Sequence, residues 1–164
     1  MWEDVSFTFA KLFNANNILC FNNPDYFYRR GNNGVSAKGY EVNENFLDIF
    51  TVTDQLEKET KESDRFDVFE DKIKFIQVAA CLQRASEVME WDVSLEIKKK
   101  ICKQVISITT KKYGDWRQIP IELLSSRVGF MELEWLRDIV EEDENYTVED
   151  LSSTLEENLN NRRK

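Results

Sequence analysis

The chain has 164 residues with 5 glycines and 2 prolines, so it fits one domain and has too few turn residues for a many-stranded β-fold. Its net charge of −9 opposes binding to the phosphates of nucleic acid or to an anionic membrane. No apolar run approaches the roughly 20 residues of a transmembrane helix, and the N-terminus lacks a signal-peptide pattern, so the sequence predicts a soluble, mostly α-helical protein.

Two different elements are predicted in the N-terminal part of the chain. A short helix before Asn14 is indicated by five apolar residues at helical spacing, Trp2, Val5, Phe9, Leu12 and Phe13. Aromatic residues at 26–28 then precede a stretch rich in glycine and asparagine, and Tyr40 and Val42 follow it. This pattern predicts a β-hairpin or an ordered loop near residues 18–42.

Two long helices are predicted in the middle of the chain. The first covers about 44–61, with Asn43 as its N-cap, and the second covers about 64–91, with Ser63 as its N-cap. The apolar residues of the second helix fall on more than one face: Phe69, Ile73, Ile76 and Ala80 form one row, and Phe75, Ala79, Leu82, Ala85 and Met89 form another. Because a helix that is apolar on two sides is usually surrounded by others, we expect it to be the central helix.

A third long helix begins at Asp92 or Ser94 and continues to about Lys112, where Gly114 is well placed as a C-terminal cap. Its predicted inner stripe consists of Ile97, Ile101, Val105 and Ile108. The lysines that we expect on its solvent side are Lys98, Lys99, Lys100 and Lys103. The alternation of these two groups is typical of an amphipathic surface helix.

Three shorter helices complete the predicted bundle. The first opens near Pro120 and ends near Arg127, before the helix-breaking Gly129. The second, about 131–142, turns its apolar side inward with Leu133, Leu136, Ile139 and Val140. The last begins at Thr147 and would bury Val148, Leu151, Leu155 and Leu159.

These elements predict a mostly α fold: a single-domain bundle of about six to seven helices over residues 1–164, with the hairpin or ordered loop at 18–42 and a frayed tail at 160–164. The chain has three widely spaced cysteines, Cys20, Cys81 and Cys102. An odd number without metal-binding spacing indicates reduced thiols, which are typical of a cytoplasmic protein.

The chain contains no histidine, although acid–base catalysis near neutral pH and most catalytic zinc sites use imidazole. Its glycines form neither a dinucleotide-binding fingerprint nor a phosphate-binding loop. We therefore expect no cofactor, no metal and no enzymatic activity. One alternative is a metal-dependent nuclease, in which Asp92 and Glu96 would hold the ion and Lys98 would steady the attacking water. The competing interpretation is that acidic residues at a helix start simply complement the helix dipole.

Residues Leu124, Val128, Gly129 and Phe130 are similar to the centre of a helix-turn-helix motif, in which the next helix would read DNA. That helix has a single basic residue, Arg137, and five acidic residues, Glu132, Glu134, Asp138, Glu141 and Glu142. Phosphates would repel this surface, so an ordinary helical corner is the favoured interpretation.

The predicted binding surface is an acidic cluster near the C-terminus. It contains six carboxylates and two aromatic anchors: Glu134, Trp135, Asp138, Glu141, Glu142, Asp143, Glu144 and Tyr146. Crowded carboxylates repel one another, whereas aromatic residues supply much of the binding energy of protein interfaces. An attractive surface for a basic partner is the functional interpretation, and a solvated loop between helices is the alternative.

The leading functional hypothesis is an acidic, non-enzymatic protein that neutralises or inhibits a basic macromolecular target, as an immunity protein, an antitoxin or a phage-encoded inhibitor does. The expected partner is another protein, and neither nucleic acid nor a membrane is expected. The alternative is a helical scaffold or adaptor subunit of a larger complex or homodimer, held through apolar helix faces. A metal-dependent enzyme is the third possibility.

Overall fold

A computed structural model gives the fold and describes residues 8, 11–12, 14–18, 44–62 and 66–141. These residues contain helices and no strand, which confirms the mostly α class. Most of the N-terminal helix and of the 18–42 region lies outside the described residues, as do the caps Asn43 and Ser63 and the helix predicted from Thr147. No helix in the described part of the chain is both long and apolar enough to span a bilayer.

Five α-helices follow one another within residues 44–141. They are α1 (Asp48–Lys61), α2 (Phe66–Ser86), α3 (Leu95–Tyr113), α4 (Ile121–Val128) and α5 (Phe130–Glu141). Short 3₁₀ turns occupy Glu44–Leu47, Glu87–Glu90 and Trp116–Gln118. The second predicted helix is therefore two pieces, because the α-helical hydrogen bonds end at Ser86 and a 3₁₀ turn continues towards Trp91.

Local sequence signals fix most of the helix ends. The Ser94 hydroxyl accepts a hydrogen bond from the backbone N–H of Ile97 at 3.3 Å and so begins α3 as predicted. Gly114 ends α3 with φ +105°, and Gly129 separates α4 from α5 with φ +79°. Both conformations lie in a region that residues with a Cβ rarely adopt. Since Gly129 alone joins the two helices, the connection is shorter than the three or four residues of a helix-turn-helix.

Helix α2 is the central helix, as predicted, because it packs against α1, α3, α4 and α5. Its C-terminal half is buried on every side, from Ile76 to Leu82. The main core surrounds that half, and a smaller cluster of Leu56, Ile73 and Ile76 lies between α1 and the start of α2. The buried C-terminal half of α2 is therefore the part of the main core around which the other helices pack.

The lysines of α3 differ from the prediction. Lys98, Lys99, Lys100 and Lys103 are partly buried and do not stand freely in solvent. The Lys98 ammonium donates a hydrogen bond to the Met89 carbonyl oxygen at 2.6 Å. Lysine stems commonly cover apolar surface while the charged end reaches a polar group, and helical periodicity alone does not reveal this.

Candidate binding surface

Helix α5 carries four of the predicted binding residues. Its inner side buries Leu133, Leu136 and Ile139, which are each at most 1% exposed. The opposite side places Asp138 and Glu141 in solvent. The other predicted residues, Glu142, Asp143, Glu144 and Tyr146, lie outside the described part of the chain. The part of the acidic cluster that the structure describes therefore lies on the outer side of α5, and the inner side of this helix packs into the core.

The remaining two predicted residues on α5 contact other residues of the chain. Glu134 forms an ion pair with Arg137, one turn later on the same helix. Trp135 is partly buried and packs against the main core. Exposed ion pairs within a helix contribute little to stability, so Glu134 can exchange Arg137 for another cation at small cost. Trp135 can offer a partner only the part of its indole that the core leaves open.

A second charged group lies in the turn between α3 and α4. The Arg117 guanidinium donates to both oxygens of Asp115, with Nε to Oδ1 at 2.9 Å and Nη2 to Oδ2 at 2.9 Å. This hydrogen bond lowers the pKa of Asp115 and raises the pKa of Arg117, and the charge of Glu141 raises the Arg117 pKa further. The charge of Glu141 therefore contributes to the electrostatic environment of Arg117. We call this group, Asp115, Arg117 and Glu141, the acidic corner.

An open groove adjoins the acidic corner, between α2 on one side and the turn leading into α4 on the other. Its volume is about 510 Å³, and Asp115 is one of its lining residues. Its apolar lining residues are Phe75 and Val78 of α2 and, from the turn and α4, Ile119 and Leu123, of which Leu123 is 53% exposed. We call it the α2–α4 groove. Its two walls come from separate parts of the chain, so no local pattern pointed to it.

A smaller cleft of about 110 Å³ lies on the other side of Lys74 and Tyr113. Three lysine–carboxylate ion pairs lie in or near it. Their N···O distances are 2.5 Å for Lys61–Glu57, 2.7 Å for Lys74–Glu70 and 2.5 Å for Lys112–Asp54. The hydrogen bond from Lys61 is the main reason that the pKa of Glu57 is lowered. Because each ammonium has a carboxylate partner, the cleft is electrically balanced.

Beneath the cleft, a network of polar side chains connects α1, α2 and α3. The Tyr113 hydroxyl donates to Asp54 Oδ1 at 2.7 Å and lies 2.8 Å from the Thr53 hydroxyl. The Gln77 amide donates to the Thr53 carbonyl oxygen at 2.9 Å and to Glu57 at 3.1 Å. Burial raises the pKa of Tyr113, so its hydroxyl remains a donor. These bonds fix the three helices against one another and satisfy buried polar groups.

The residues of the nuclease alternative lie at the surface and around the start of α3. Asp92 and Glu96 are exposed, and the Lys98 ammonium is occupied by the Met89 carbonyl oxygen. Within the described ranges, no three histidine, cysteine or acidic side chains are grouped so that they could hold a metal ion. Burial raises the pKa of the Cys81 thiol to about 12 and also raises that of Cys102, so neither is activated as a nucleophile.

Comparison of the chain with protein-family models, with curated proteins and with solved structures finds no match. The surface chemistry of α5, the acidic corner and the α2–α4 groove therefore carries the functional argument.

Proposed function

We propose that the protein is a cytoplasmic, non-enzymatic binding protein that neutralises or inhibits a basic macromolecular target, in the manner of an immunity protein, an antitoxin or a phage-encoded inhibitor. The observation that supports this proposal is the outer side of α5, where Asp138 and Glu141 stand in solvent on a helix whose other side is buried. The sequence continues with three more carboxylates, Glu142, Asp143 and Glu144.

Helix α5 has a large negative charge for its length. The helix contains four acidic side chains and one basic one, so its charge is −3, within a chain of net charge −9. Asp138 and Glu141, on the outer side of the helix, create a field that attracts a basic partner over roughly a Debye length, about 8 Å at physiological salt. Such a field mainly accelerates association and selects the sign of the partner's charge.

Affinity capture with matched baits tests the proposal. One bait carries Asp138→Lys and Glu141→Lys, and the control bait carries Glu62→Lys and Glu90→Lys, which are exposed positions on other elements. Each pair of reversals raises the net charge by four, so the two baits share the same overall charge and differ only in where it changes.

We expect the wild type and the control bait to enrich the same basic protein from the cells that produce the chain, and the α5 bait to lose it. Mass spectrometry identifies the captured protein and so gives its charge. Capture of an acidic or neutral partner, or equal capture by the α5 bait, contradicts the proposal.

The alternative of a scaffold or adaptor subunit is favoured by one feature at the start of α5. Phe130 and Met131 are 54% and 75% exposed, which is unusual for two adjacent large apolar side chains. If these two side chains form an interface with a second copy of the chain, light scattering should show a dimer. The double variant Phe130→Ser, Met131→Ser should then be a monomer. A monomer at high concentration excludes the homodimer form of this alternative.

A further inference from the structure

We draw no further inference here: the strongest candidate, the α2–α4 groove between α2 and the turn leading into α4, carries none, because the charges of its lining cancel and nothing in the structure shows what covers it.

Discussion

The buried pair of Arg84 and Glu87 offers a quantitative test of how the central helix is held. The Arg84 side chain is 1% exposed, and its guanidinium donates to Glu87 at 2.5 Å and more weakly to the Phe46 carbonyl oxygen at 3.4 Å. It also lies 4.6 Å from the centre of the Phe46 ring. The Glu87 side chain keeps 22% exposure, so water reaches one side of the pair.

Replacing Glu87 by alanine leaves the Arg84 cation buried without its main acceptor. Removing one partner of a fully buried pair costs about 3–5 kcal/mol, and access of water to the vacated position reduces this, so we expect a loss of about 2–3 kcal/mol in the free energy of unfolding. Glu87→Gln keeps an acceptor oxygen and should cost about 1 kcal/mol. The control Glu90→Ala alters an exposed carboxylate of the same turn and should change stability by less than about 0.5 kcal/mol.

Urea denaturation followed by circular dichroism measures these differences.

Desolvation raises the pKa of Glu87 despite the opposing charge of Arg84. Its folded pKa therefore lies above its unfolded value, and the associated stabilisation is fully present below the unfolded pKa and is lost as the pH rises through the folded one. Glu87→Gln should remove this dependence. If Glu87→Ala is as stable as Glu90→Ala, the buried Arg84 does not depend on Glu87 for its stabilisation.

Three further predictions concern backbone and burial. Gly129→Ala and Gly114→Ala should each lower the free energy of unfolding, measured by urea denaturation, by about 1–3 kcal/mol. The reason is that φ values of +79° and +105° strain a residue that has a Cβ. If both variants are as stable as the wild type, this prediction is wrong. Cys81 and Cys102 should resist a thiol reagent at pH 8 until the protein is denatured, as peptide mapping would show; rapid labelling of either native thiol contradicts their burial. Since burial raises the Tyr113 pKa, the free energy of unfolding of the wild type should fall more steeply than that of Tyr113→Phe as the pH rises above about 10. The same pH dependence in both proteins would refute this.

The helices could be predicted because their signals are local. Ser94, Gly114 and Gly129 each act within one turn of the chain, so the beginning of α3 and the boundary between α4 and α5 follow from neighbouring residues. The apolar rows of α2 were enough to identify it as the central helix. Its end was misjudged because the apolar pattern continues through the 3₁₀ turn after Ser86.

Buried polar residues could not be predicted in the same way. The partners Thr53 and Tyr113 are 60 residues apart in sequence, and the Gln77 amide reaches Thr53 across 24 residues. Whether a polar side chain can be buried depends on which acceptor another helix supplies, and a helical pattern contains no information about that. Arg84 was missed for the same reason, because its acceptors include the Phe46 carbonyl oxygen.

The candidate site was predictable only in part. The 3.6-residue period separates the buried Leu136 and Ile139 from the exposed Asp138 and Glu141, so the acidic side of α5 is visible in the sequence. The electrostatic influence of Glu141 on Arg117 depends on how α5 packs, and the α2–α4 groove depends on how α2 packs against the turn that leads into α4. These features exist only after the chain has folded.

The most direct test of the acidic binding surface is the association rate of the captured partner with the full-length protein, measured by stopped-flow at about 0.05 M and about 0.5 M salt. We expect the rate constant to fall at least tenfold across this range for the wild type, and to depend much less on salt for Asp138→Lys with Glu141→Lys, because electrostatic steering is screened or removed. An association rate that is the same at both salt concentrations, or the same for wild type and the charge-reversal variant, would contradict the account.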